Sequence, residues 1–364
     1  MNVTMPTARR NWRLSLRALL FALFLAELLA CWLLKTDQWR KLGLGWQLWA
    51  VVLATVVAVT FVVSHAIWLL RRRFQFGLRT LLSSVLLVGT VLGVFGIRLQ
   101  QTEKQRHAAA ALSAKGAGVY YVGNNEPGLL TYVGRQYFQE PIAVTFQGGM
   151  SARDLANITA LTQLEQLNLC NSPLVDTDLG HFSGLRQLRH IALVRTGVTG
   201  TGLQHLGSQP NLYDLCLCQS PIDDVGLRTV SRFKNLVSLN LSQTRISDAG
   251  LAHLAGLEQL SDLYLDGTTI TGQGFVHLRS LRNLEQISLD ASWVGNDGMA
   301  HLQQLPRLLS LKLSNTNIDD AGLEPLCGMP GLRMLNLDGT DVTEDGLQRL
   351  RQQLPNCVII RSSP

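Results

Sequence analysis

A spacing of 24 residues constrains this chain more than any other feature of its sequence. Leucine recurs at Leu164, Leu188, Leu212, Leu236, Leu260, Leu284, Leu308 and Leu332 without an insertion or deletion. Three residues after each of these anchors stands Leu or Ile, from Leu167 to Leu335, and five after stands Leu, from Leu169 to Leu337. Ser or Thr always follows eight residues on, from Ser172 to Thr340, and an aliphatic residue ten on, from Leu174 to Val342. Side chains alternate along a strand, so positions three and five share one side of a short strand. In the second half of the units Thr199, Ser247, Thr271, Asp319 and Thr343 suit helix N-caps. Apolar residues then recur at helical steps, as in Leu251, Leu254 and Leu257. A unit this short cannot bury its own apolar side chains. Stacked on copies of itself it can, which predicts an α/β solenoid with parallel strands on the concave side and short helices on the convex side.

The ends depart from the pattern. At 140–163 the helix half survives in Leu155, Ile158 and Leu161, but the strand half, Pro141–Phe146, is shifted by one. With Val119–Val122 it reads as an N-terminal cap, and Cys357–Ile360 as a closing strand. Residues 164–361 are expected to form eight stacked strand–helix units.

The consensus L-x-x-L-x-L-x-x-T-x-I-[TS]-D-x-G-L resembles leucine-rich repeats, with Ser or Thr where the common form has Asn or Cys. It is similar to repeats of bacterial leucine-rich-repeat proteins and, more distantly, of F-box leucine-rich adaptors of ubiquitin ligases, over about residues 140–361. Phe76–Leu82 and Leu354-Pro355-Asn356-Cys357 resemble segments of bacterial membrane-anchored proteins of that class. The resemblance implies a right-handed solenoid serving as a membrane-tethered protein-binding or scaffolding module. An adaptor role is the alternative, although no F-box stands in front. A third reading, an accessory subunit of a membrane transport complex, has only Glu27 in its favour.

The membrane expectation rests on the N-terminal end. Three apolar runs, 18–34, 49–70 and 80–97, are each long enough to cross about 30 Å of hydrocarbon. The alternative for the first is a signal peptide, but no small-x-small cleavage site follows it. Residues 1–98 thus read as a multipass integral-membrane region and 99–139 as a juxtamembrane helix and cap, either a solvated stalk or a helix lying on headgroups. Residues 140–364 read as the repeat domain. The lipid bilayer is an expected partner. The cluster Arg71–Arg73 favours a cytoplasmic N-terminus, with the repeats outside the cytoplasm. Charge agrees with a split chain: residues 1–117 carry 15 Lys and Arg against 3 acids, and the remainder 17 against 23. The basic excess therefore lies outside the repeats and does not argue for nucleic acid.

No nucleophile–base motif, phosphate loop or Cys/His ligand spacing occurs, so the chain reads as a non-enzyme with no cofactor, no metal and no small-molecule substrate. The histidine column His181, His205, His253, His277 and His301 falls on the wet side of the helices, where stacked helices hold the rings too far apart for one ion. Cys216 and Cys218 lie two apart on one strand face and Cys170 two units away, so the thiols are expected to be free, which by itself favours a reducing compartment. The concave face, two, four and six residues after each anchor, is the expected binding surface. Its early units present Asn168, Cys170, His190, Val194, Cys216 and Cys218. Its later units present Asp262, Tyr264, Asp266, Gln286, Ser288, Asp290, Lys312, Asn336 and Asp338. Asp262, Asp266 and Asp290 around Tyr264 form an acidic patch, which reads either as a site for a basic or hydroxyl-rich protein or as a merely solvated face.

Overall fold

The computed structural model describes residues 78–121, 140–149 and 151–362. It divides into two units, one contributing Leu78–Leu92 to the described residues and the other beginning at Gly93. The second unit carries one sheet whose strands follow chain order throughout: β1 (Gly118–Tyr121), β2 (Pro141–Gln147), β3 (Gln166–Cys170), β4 (His190–Ala192), β5 (Asp214–Cys216), β6 (Ser238–Asn240), β7 (Asp262–Tyr264), β8 (Gln286–Ser288), β9 (Ser310–Lys312), β10 (Met334–Asn336) and β11 (Val358–Ile360). β1 and β2 are antiparallel, and each later pair is parallel. From β3 onward each residue faces the one 24 later, as His190 faces Asp214 and Leu215 faces Leu239. β2 meets β3 at an offset one residue shorter, with Val144 against Leu167, as the shifted strand half implied.

The leucine columns make the core. All eight anchors are buried, as are the columns three, five and ten residues after them. Helical segments pack behind the strands. Those at Asp176–Phe182, Gly200–Leu206, Gly250–Leu254 and Gln273–Ser280 are 3₁₀ turns, whereas Asp224–Val230, Asn296–Leu302, Asp320–Leu326 and Glu344–Gln353 are α-helical.

Three columns shape and join the units. The hydroxyl eight after each anchor is buried throughout. Thr244, Thr268, Ser292, Thr316 and Thr340 each donate to the carbonyl three residues back, at 2.6–2.7 Å. The residue just before the hydroxyl turns left-handed: Asn171, Arg195, Gln219, Gln243, Ala291 and Asn315 have φ of 53–59°, and Gly267 and Gly339 complete the column. That twist carries the chain out of the strand.

The third column is lateral. Asp176, Asp224, Asp248 and Asp320 each accept from both the backbone N–H and the hydroxyl of the Ser or Thr 23 residues on, namely Thr199, Ser247, Thr271 and Thr343. This corrects the N-cap expectation. Asp319 and Thr343 do cap their helices, whereas Ser247 and Thr271 precede their N-caps and Thr199 occupies one without a side-chain bond. Their hydroxyls go sideways because a carboxylate of the preceding unit lies within reach. The approach is close enough that a Cβ on Gly226 would come within 2.6 Å of Gly200 Cα.

Two N-terminal expectations are overturned. Among the described residues no helix is long and apolar enough to cross a membrane. The runs 18–34 and 49–70 lie outside the described residues. The run 80–97 forms the first half of the helix α1 (Leu78–Ser113). Thr80, Ser83, Ser84, Gly89, Thr90, Gly93 and Gly96 interrupt its apolar residues, and the helix continues through a polar stretch. The multipass region, the bilayer as partner, the integral-membrane placement with extracytoplasmic repeats, and the membrane-anchored class are corrected accordingly. The polar stretch is not a solvated stalk either. Ala108, Ala109 and Leu112 are buried in the solenoid core, where two methyl side chains let the helix backbone approach closely. Lys115 Nζ then reaches Asp154 Oδ2 at 2.6 Å, at the head of the helix α2 (Ala152–Thr159). Burial alone would raise the Asp154 carboxyl, but the bonds from Lys115 and Ser151 outweigh it and hold it below its ordinary value.

Candidate binding face

Strands β5, β6, β7 and β9 show one burial pattern, a buried Leu between two half-exposed residues. The half-exposed positions, with those six after each anchor, form the open face of the sheet. Register brings the candidate residues together: Asp262 faces Gln286, Tyr264 faces Ser288, Ser288 faces Lys312, and Lys312 faces Asn336.

The nine candidates are not equally available. Ser288 is buried, and its hydroxyl donates to Asp266 Oδ1 at 2.5 Å. The same Asp266 oxygen accepts the Asp290 N–H at 2.9 Å, and its other oxygen accepts from Ser242 Oγ. Asp290 accepts the Ser314 N–H at 2.7 Å, and Asp338 accepts the Ser362 N–H at 2.9 Å. Asn336 Oδ1 accepts the Asp338 N–H. Six residues after the anchor, an aspartate therefore ties its unit to the backbone of the next. Asp266, Asp290 and Asp338 are half-buried mortar rather than free surface charge.

What stays free for a partner is a smaller group around Tyr264. Gln286 Nε2 donates to the Tyr264 hydroxyl at 3.3 Å, which fixes the ring. Burial, then the charges of Asp262, Asp214 and Asp266, push the Tyr264 hydroxyl up from its ordinary range. Burial likewise raises Asp262, where a bond from Ser261 opposes it and Glu285 and Asp214 add to it. Burial is the larger cause of both shifts, and the carboxylates around β5 to β8 add to it, with Lys312 beyond them by register. Asp214 is one of these carboxylates although the sequence reading passed it over. Its signal was present: it stands at the same repeat position as Asp262. Trp293 was also missed. Its ring is two-thirds exposed, and every other unit has a smaller or more polar residue at that position.

The early half of the face differs. His190 Nδ1 lies 2.6 Å from Asp214 Oδ2, and this bond raises the imidazole against an opposing effect of burial. Cys216 and Cys218 place their sulfurs 3.3 Å apart. The Cys216 hydrogen bond holds the Cys218 thiol down to about 7, while that same bond and burial push Cys216 up. Asn168 on β3 and Val194 just beyond β4 are half-buried. Cys170, Cys216, Cys218, Cys327 and Cys357 are free thiols. His181, His205, His253, His277 and His301 sit on separate helical segments behind the sheet, with Asp224–Val230, which has no histidine, between the second and the third. No group of three or more His, Cys, Asp and Glu able to hold a metal ion occurs among the described residues.

Comparison with known proteins finds matches to two stretches of the repeats. Family models described as leucine-rich repeat match residues 210–270 and 304–327. No curated protein matches the chain. Among solved structures the chain is similar to an internalin from Listeria monocytogenes, with 21% identity and a TM-score of 0.49 over 60% of this chain and 58% of that one. Internalin C2 of the same organism matches at 22% identity and a TM-score of 0.46 over 57% of this chain and 84% of that one. A leucine-rich-repeat protein of Leptospira interrogans matches at 20% identity and a TM-score of 0.42, over 59% and 58%. The chain thus spans little more than half the length of the first of these.

Proposed function

We propose that the chain is a protein-binding module whose open sheet face, centred on Tyr264, takes a cationic segment of a partner protein. The observation that carries this reading is the shared field of Asp214, Asp262 and Asp266 on a half-exposed tyrosine that Gln286 holds in place. A fixed aromatic ring loses little conformational freedom on binding, and tyrosine and tryptophan are common binding hot spots. Surrounding carboxylates attract Lys and Arg and repel acidic competitors. Asn336 and Lys312 bound this group on the far side.

The test uses a Lys/Arg-rich peptide and reads its affinity by fluorescence anisotropy. Asp262→Asn with Tyr264→Ala should weaken binding about tenfold or more, a loss of about 1.4 kcal/mol. Raising salt from about 0.05 to about 0.5 M should mimic the Asp262 change, because exposed charges are screened. His253→Gln with His277→Gln, behind the sheet, should leave affinity unchanged. Equal affinity of the wild type and the Asp262/Tyr264 variant would return the patch to a solvated face.

A further inference from the structure

The early half of the sheet face carries a feature that protein binding does not use. Cys216 and Cys218 sit two residues apart on one face, half-buried, with a sulfur–sulfur separation of 3.3 Å. A disulfide does not account for the pairing. β5 ends at Cys216 and Cys218 stands in the turn that follows, and both are free thiols. The backbone here is pinned on both sides of Cys218, because Leu217 N–H donates to Asn240 and Gln219 N–H to Ser242 in the next unit. The two thiols are thus held close to each other.

Two such sulfurs make a clip for one soft ion. A metal–thiolate bond is about 2.3 Å, so two sulfurs on one ion lie about 3.8 Å apart in tetrahedral geometry and about 4.6 Å apart in linear geometry. Side-chain rotation spans the step from 3.3 Å to either value without moving the strand. Tetrahedral zinc needs four ligands, and no third Cys, His, Asp or Glu joins the pair at metal-binding distance among the described residues. His190 is nearby, but it does not complete a group of three metal ligands with the two thiols among the described residues. A soft ion content with two sulfurs is the better match.

We propose that Cys216 and Cys218 form a two-sulfur binding site for monovalent copper on the early half of the sheet face. Binding replaces both S–H bonds with S–Cu bonds and releases two protons to solvent, with no change of oxidation state. The site lies beside Asp214, so an occupied clip adds its own charge to the face that Tyr264 serves.

The full chain, reduced and oxygen-free, is titrated with Cu(I) against a chromophoric Cu(I) chelator. One ion per chain should bind at this site, and Cys216→Ser or Cys218→Ser should weaken it about 100-fold or more. Cys170→Ser should change affinity less than about threefold, because that thiol stands two strands away. Wild type and the Cys216→Ser/Cys218→Ser double variant holding Cu(I) equally well would overturn the proposal. A second measurement needs no variant. Alkylation read by mass spectrometry should show Cu(I) shielding Cys216 and Cys218 while Cys327 and Cys357 react, and shielding of the latter pair instead would also overturn it.

Discussion

Thr244 donates to the Leu241 carbonyl at 2.6 Å from a nearly closed site, 6% exposed. Thr244→Val keeps the volume and leaves that carbonyl without this donor, so unfolding in urea should show a loss of about 1–3 kcal/mol. A loss well under about 0.5 kcal/mol would mean that the column serves shape alone. One residue earlier in each unit the strain runs the other way. Ala291 is held at φ 55°, where an L-residue pays for its Cβ and alanine has no polar side chain to compensate. Ala291→Gly should therefore raise stability by about 0.5–1 kcal/mol, while the same change at an ordinary strand position lowers it. The leucine and hydroxyl columns could be read from the sequence because each keeps one chemistry. The left-handed column could not, since only Gly267 and Gly339 announce it and Arg195, Gln219 and Gln243 disguise it.

Between elements, the lateral carboxylates decide how the stack responds to acid. Asp248 would be raised by burial, but bonds from the Thr271 hydroxyl and the N–H groups of Thr271, Gly272 and Gly274 bring it below its ordinary 3.8. Asp320 and Asp338 are lowered by equivalent bonds from Thr343 and Ser362. A carboxylate lowered on folding contributes stability above its unfolded value, and that contribution disappears as pH falls through the folded one. Thermal melting should thus drop steeply below pH 3.8. Asp248→Asn should melt lower than wild type at pH 7 but lose less between pH 4 and pH 2, and parallel curves would refute the ladder. These partners stand 23 to 26 residues away in sequence, so the spacing offered their Ser and Thr hydroxyls as helix caps and did not show the carboxylates they reach. The helix α1 was misread for a related reason. Its sequence shows an apolar half and a polar half, but not that Ala108, Ala109 and Leu112 close the end of the solenoid.

Across the whole molecule, acidity is divided between mortar and surface. The patch read from the sequence as Asp262, Asp266 and Asp290 contains two residues whose carboxylates bind the next unit's backbone, whereas Asp262 takes its bond from Ser261 of its own unit. Spacing could place all three on one face but could not tell a charge that holds the fold from one that meets a partner. That distinction concentrates the account on the surroundings of Tyr264. The most direct measurement places a photo-crosslinking residue at Gln286, beside the Tyr264 hydroxyl, and at His277 behind the sheet, and exposes each protein to a Lys/Arg-rich peptide. A covalent adduct from position 286 that fades with salt, with none from position 277, is the predicted result. Equal adducts from both positions, or none from 286 at a peptide concentration where binding is measurable, would contradict it.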